Sequence, residues 1–164
     1  MTQTVTLDDA TVKFEIWDTA GQEKFRSIIP TFLRDISVCI YVYDISRKSS
    51  FEHINDWVDF VKEQRGDDRS VLYYLIGNKS DLTDERQVSF EEGDSLSRSL
   101  GFMGFAEVSA RTCTGVKELF SRIAAEIPSV PTKETPSVQT HLKVDYATMQ
   151  DQPNNQSGYG SCIC

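Results

Sequence analysis

With 164 residues and a formal net charge of −8, the chain is long enough for one domain of about 125 residues and a tail. The acidic balance argues against nucleic acid as a partner, because a phosphate backbone is bound through basic patches. No apolar run approaches the roughly eighteen residues that span a bilayer, and the first residues do not read as a signal peptide.

Residues 4–7 and 12–17 alternate like strands on either side of Asp8-Asp9 and read as a hairpin. Asp18-Thr19-Ala20-Gly21-Gln22 comes next. An Asp leaving the C-terminal end of a strand is placed to reach a magnesium ion through water. A Gly just beyond lets the backbone approach a terminal phosphate, because it has no Cβ. A Gln after it can orient an attacking water, so the three together would suit a GTP-hydrolysing site. Taken alone, Asp-x-x-Gly is equally an ordinary strand-ending turn.

Residues 23–34 read as a helix. Residues 38–43 and 71–76 are continuous apolar runs, as expected of strands covered on both faces, with Cys39 a core thiol. Between them Phe51, Ile54, Trp57, Val58 and Val61 share one helical face. Asn78-Lys79-Ser80-Asp81 follows the second run and Gly77. Its carboxylate can accept from both N1–H and the exocyclic N2 amino group of guanine, a donor pair adenine lacks. Asn78 can bridge the base edge and neighbouring loops, and the Lys79 stem can lie over the ring. Taken alone, these four residues could be a turn with helix-cap chemistry.

Residues 89–100 read as a helix. Glu107-Val108-Ser109-Ala110-Arg111 follows a short apolar strand, and its backbone N–H groups suit the guanine oxygen. Residues 115–127 form a helix whose apolar stripe (Val116, Leu119, Phe120, Ile123, Ala124, Ile127) reads as packing on a sheet. His53 and His141 show no metal-ligand spacing, and the four Cys suggest no disulfide framework, with no partner assigned to Cys113. The three motifs each follow a strand directly, in an order and spacing that chance explains poorly. The βα alternation points to an α/β, doubly wound sheet with ligands beyond the C-terminal strand ends.

Trp17-Asp18-Thr19-Ala20-Gly21-Gln22-Glu23-Lys24-Phe25, Gly77-Asn78-Lys79-Ser80-Asp81-Leu82 and Val108-Ser109-Ala110-Arg111 resemble the Rab branch of the Ras-like small GTPases. Phe25-Arg26-Ser27-Ile28-Ile29-Pro30-Thr31-Phe32-Leu33-Arg34-Asp35 and Arg86-Gln87-Val88-Ser89-Phe90-Glu91-Glu92-Gly93 resemble the Golgi-associated Rab subfamily. The resemblance implies GTP/GDP and Mg2+ as ligands. It implies that Asp18 holds the metal through water, that the Gly21 N–H senses the γ-phosphate and that Gln22 is catalytic. Asn78, Lys79 and Asp81 would read guanine beside Ser109, Ala110 and Arg111, with Trp17 and Phe32 facing effectors. Phe32 stands where the family usually has Tyr, and Arg111 where it usually has Lys.

The fold implied is a P-loop-NTPase-like GTPase sheet, N-terminally truncated. In the family, a first strand, a Gly-x-x-x-x-Gly-Lys-Ser/Thr loop, a first helix and the first switch precede the matching residues, and this sequence shows none of them. That strand would lie between the one ending at Asp18 and residues 38–43. Two interior strand edges are therefore expected to be unpaired.

Residues 1–127 read as the domain and residues 128–164 as a flexible, disordered tail, rich in Pro, Thr, Ser, Gln and Asn. The tail has no polybasic cluster for an anionic membrane. It ends Cys162-Ile163-Cys164, which is not Cys-a-a-X because Ser161 occupies the required position. This end resembles the doubly geranylgeranylated terminus of many Rabs, and two lipid chains anchor stably where one is marginal. The expectation is a Rab-type GTP-binding and GTP-hydrolysing switch of vesicle transport, impaired in this chain. It would act at the cytoplasmic face of Golgi and endomembranes, with a cytosolic pool. By resemblance its partners are an escort protein, a GDP-dissociation inhibitor, an exchange factor, a GTPase-activating protein and effectors. The alternative is a non-enzymatic lipidated fragment that binds nucleotide poorly and engages only prenylation or escort partners.

Overall fold

The computed structural model describes residues 1–7, 11–19, 29–66, 70–127 and, as backbone, 138–146. Strands β1 (Thr2–Thr6) and β2 (Thr11–Thr19) form the expected antiparallel hairpin. Alternation decides which face of β2 is buried. Val12, Phe14 and Ile16 turn inward, while Lys13 and Glu15 stay half-buried. β3 (Val38–Asp44) is buried along its whole length. It pairs in parallel with β4 (Leu72–Asn78), which pairs in parallel with β5 (Gly104–Glu107).

The helices are α1 (Ile29–Leu33), α2 (Lys48–Glu52), α3 (Ile54–Arg65), α4 (Phe90–Ser99) and α5 (Val116–Glu126). They cover both faces of the sheet. On one face Ile29 and Leu33 of α1 and Ile54, Trp57, Val58 and Val61 of α3 pack with Cys39, Tyr41 and Tyr43 of β3. On the other, Leu119, Ile123 and Ala124 of α5 pack with Val12, Phe14 and Ile16 of β2 and Val38, Ile40 and Val42 of β3. The α5 stripe thus packs on the sheet, as its periodicity predicts. α4 starts where its Ser89–Glu92 capping box satisfies two otherwise orphan N–H groups. It lies close on β5 because Gly93 has no Cβ, which would collide with the Phe105 ring and the Tyr43 hydroxyl.

Three local expectations are adjusted. The helical segment around residues 51–61 is two helices separated by His53. β2 runs one residue past Asp18, so that residue lies within the strand. Of the helix expected over 23–34, α1 is the part seen. Residues 20–28 lie outside the described residues.

The larger difference is in the tail. Val138–Tyr146 forms a strand, β6, in the middle of the sheet rather than disordered chain. The order is β1-β2-β6-β3-β4-β5. Residues 12–19 of β2 run in parallel register with residues 138–145, and residues 38–42 of β3 with residues 142–146. The two interior edges expected to be open are therefore paired. The physical reason is that N–H and C=O groups on the facing edges of two interior strands need partners. The segment Val138-Gln139-Thr140-His141-Leu142-Lys143-Val144-Asp145-Tyr146 has the period-2 alternation of a strand. His141, read as a tail residue, lies in β6.

Candidate guanine-nucleotide site

The parallel strands deliver polar residues to one edge of the sheet, at their C-terminal ends. Trp17 and Asp18 lie near the end of β2, Asp44 ends β3, Asn78 ends β4 and Glu107 ends β5. This is where a doubly wound sheet binds ligands.

The residues predicted to read the base converge closely. Asn78 Oδ1 accepts from the Lys79 N–H at 2.7 Å and from the Ala110 N–H at 3.1 Å, so one amide oxygen ties the two base loops together. Ser109 is almost wholly buried and donates its hydroxyl to Asp81 Oδ1 at 2.5 Å. The same Oγ accepts from the Thr112 N–H at 3.1 Å. The Ser109 hydroxyl holds the Asp81 carboxyl below the usual carboxylate range, against partial burial, with help from its own backbone amide and from the Arg111 and Lys79 charges. Asp81 is thus ionised at neutral pH, and a carboxylate engaged by one hydroxyl keeps lone pairs for further donors. The Arg111 guanidinium stands 4.0 Å from Asp81 Oδ2, a longer reach than a hydrogen bond. The Ala110 N–H, expected to face the guanine oxygen, is donated to Asn78, so a base oxygen there would share it.

Lys79 takes an unusual conformation, with φ of +66°. Non-glycine residues enter this left-handed region rarely, and such strain clusters at functional sites. Cys113, with φ of +60°, is the other such residue among those described, and it lies in the second base loop. Cys39 is a buried thiol outside any disulfide, as expected of a core residue.

Sequence reasoning missed the residues that hold this arrangement from behind. Asp44 is 5% exposed, and its Oδ2 lies 2.6 Å from Lys79 Nζ. Its Oδ1 accepts from the Ser46 N–H at 2.9 Å and the Ser46 hydroxyl at 2.6 Å. Burial alone would raise the Asp44 carboxyl, but Lys79 and Ser46 outweigh it and hold it below the ordinary range. Arg86 makes a two-pronged pair with Glu107, at 2.6 and 2.7 Å, and donates to the Val88 carbonyl. Tyr43 is buried behind Gly77, and its hydroxyl has no hydrogen-bond partner among the described residues. The available signal was an Asp closing a fully apolar strand, which is costly to bury unless partnered.

The phosphate side is less complete. Asp18 is exposed, and partial burial of its carboxyl raises it above its ordinary value. Among the described residues no three His, Cys, Asp or Glu side chains form a metal cage. A single strand-end carboxylate nevertheless fits magnesium, which keeps several waters and takes few protein ligands. Gly21 and Gln22 lie outside the described residues, as do Cys162 and Cys164. The sequence contains no Gly-x-x-x-x-Gly-Lys-Ser/Thr. Trp17 and Phe32 stack, with ring centroids 5.1 Å apart and planes 29° from parallel, and Trp17 is 43% exposed.

No helix among the described residues is long and apolar enough to cross a membrane. A family model described as the Ras family matches residues 1–129. The chain belongs to the Ras family of small GTPases, whose members bind GTP or GDP with Mg2+ and hydrolyse GTP.

Proposed function

We propose that this chain is a Rab-type member of that family, a guanine-nucleotide switch of vesicle transport at Golgi or other endomembranes. The observation that carries the nucleotide reading is the clasp of Asn78, Asp81, Ser109 and Ala110, which aligns an ionised carboxylate with a tethered backbone amide. Asp81 accepts from guanine N1–H and the N2 amino group, Asn78 holds the two loops in register, and the Lys79 stem covers the ring. Asp18 would hold magnesium through water, and Gln22 would position the hydrolytic water at the γ-phosphate. Magnesium supplies charge neutralisation on the phosphates. Trp17 and Phe32 offer a flat aromatic surface to effectors. Cys162 and Cys164 take two geranylgeranyl groups through an escort protein. A GDP-dissociation inhibitor, an exchange factor and a GTPase-activating protein complete the cycle on the cytoplasmic face.

A second reading takes residues 1–164 by themselves, which carry no Gly-x-x-x-x-Gly-Lys-Ser/Thr. That loop supplies most of the contacts to a triphosphate, so a base clasp by itself would bind nucleotide weakly. On this reading the chain is a lipidated, non-enzymatic binder of prenylation or escort partners. Titration of Met1–Cys164 and its Asp81→Asn variant with fluorescent guanine, adenine and xanthine nucleotides separates the two. The nucleotide reading expects guanine selectivity in the parent chain and a shift toward xanthine in the variant. An unchanged guanine preference removes Asp81 from the role. No binding of any guanine nucleotide decides for the second reading.

A further inference from the structure

β6 joins the sheet on different terms from the other strands. Among the described residues it is the one strand that joins the β1–β2 hairpin to β3, β4 and β5. Side-chain packing also holds the hairpin, with Phe14 edge-on to Phe120 of α5 at 5.7 Å and Trp17 stacked on Phe32 of α1. A parallel strand paired on both edges is normally apolar throughout, as β3 is up to Asp44. β6 instead places Gln139, His141, Lys143 and Asp145 at the register positions of Lys13, Glu15, Trp17 and Thr19. Lys143 and Asp145 are also in register with Cys39 and Tyr41, which are almost wholly buried. The polar register positions of β6 match its neighbours poorly as a sequence pattern, while backbone pairing favours docking.

The register of β6 also sets an offset. Val144 is paired with both Asp18 and Ile40, so Asp18 lies level with Ile40. Asp44, which anchors Lys79, stands further along β3 by roughly 13 Å at about 3.3 Å per residue. The Asp18 half of the site therefore rides on β2 and the base clasp on β3, β4 and β5, with β6 between them.

We propose that β6 is an exchangeable strand. The slot between β2 and β3 is a strand-binding site, filled by the chain's own residues 138–146, and its occupancy sets the spacing of the two half-sites. Withdrawal leaves the β3–β4–β5 sheet and the base clasp in place and frees the hairpin to shift against them. The consequence for Asp18 rests on the nucleotide reading; the release of the strand does not.

Residue-resolved amide exchange on the full chain without nucleotide tests this directly. The amides of β6, and those of β2 and β3 that face it, should exchange together, about tenfold or more faster than the amides joining β3 to β4. In the same buffer a fluorescein-labelled peptide with the sequence of residues 138–146 should be taken up by the full chain, with a rise in anisotropy. A scrambled peptide should not be taken up, nor one carrying Leu142→Pro, which lacks a ladder N–H. Exchange of β6 in step with the β3–β4 amides overturns the proposal. So does no peptide uptake, or equal uptake of the scrambled peptide. Neither readout uses nucleotide, so a failure of GTP binding leaves both unchanged.

Discussion

Asp44→Asn tests whether the base loop is held from behind. In the folded protein Asp44 receives three hydrogen bonds, two from Ser46 and one from the Lys79 ammonium at 2.6 Å. Asn keeps one acceptor oxygen, enough for Ser46, but turns an NH2 donor toward a cation. Lys79 must then swing away. A hydrogen bond to a charged group contributes roughly 1.5–3 kcal/mol. The Lys79 side chain is 47% exposed and rehydrates when released, which lowers the expected loss to about 1–2 kcal/mol. That corresponds to a fall in Tm of about 2–8 °C for a domain of this size. The pH dependence is sharper evidence. The folded-state Asp44 lies below its ordinary value of 3.8, so its contribution is present above that value and is lost as pH falls through the lowered folded one. Urea melts of both proteins between pH 3 and 8 should show a gap that is constant near neutrality and closes in acid. A gap that widens in acid, or no gap at pH 7, refutes the role assigned to Asp44. Guanine-nucleotide affinity should fall in the same variant, because Lys79 loses the contact that holds it in place.

Tyr43→Phe removes a buried hydroxyl without a partner among the described residues, and should stabilise by about 1 kcal/mol; a loss of that size would mean the hydroxyl is bonded. Burial raises the Tyr43 hydroxyl well above its ordinary value of 10.0, with Glu107 adding to the effect. The wild type should therefore lose stability as pH rises past that value, and the variant should lose less by one proton in the slope of ΔG against pH. Arg86→Ala strands the Glu107 carboxylate, whose side chain is 12% exposed, and should destabilise by roughly 3 kcal/mol, whereas Arg86→Met with Glu107→Leu should recover most of it; no recovery in a double-mutant cycle counts against a paired role. Replacing both Cys162 and Cys164 with Ser should make the protein fully soluble in eukaryotic cells, with each single replacement leaving weak, exchangeable membrane binding at about 0.8 kcal/mol per buried CH2. Intact mass and fractionation check this, and unchanged membrane association of the double variant sinks the anchor.

The meeting of the two predicted base loops was legible because each motif is local in sequence. Asn78, Lys79 and Asp81 leave one strand and Ser109 to Arg111 follow another, so each motif carries its own strand signal. Asp44 was not legible in the same way. Its partner Lys79 is far along the chain, and nothing in Tyr43-Asp44-Ile45-Ser46 says which cation will meet it. The same holds for Arg86 and Glu107, which adjacent loops bring together only after β4 and β5 pair. Tyr43 is illegible for a further reason. Its orphan hydroxyl results from Gly77 and Gly93 letting their segments approach closely, a packing outcome rather than a pattern.

The tail shows how two sequence signals compete. Composition averaged beyond Ile127 reads as disorder, because Pro, Ser, Thr and Gln dominate the average. Within that stretch the nine residues of β6 alternate strictly between apolar or Thr positions and polar ones, with a period of two. A short periodic run is diluted by any average longer than itself. The alternation identifies a strand but not its place, since Gln139, His141, Lys143 and Asp145 would suit an edge with one wet face. What sets the place is demand from elsewhere in the sheet. β2 and β3 present facing edges that no other described strand occupies, and unpaired backbone in a sheet interior is more costly than a poorly matched strand face. The position of β6 is thus decided by its neighbours' unmet hydrogen bonds. A strand placed by its neighbours' needs more than by its own pattern is one that a better-matched strand could displace.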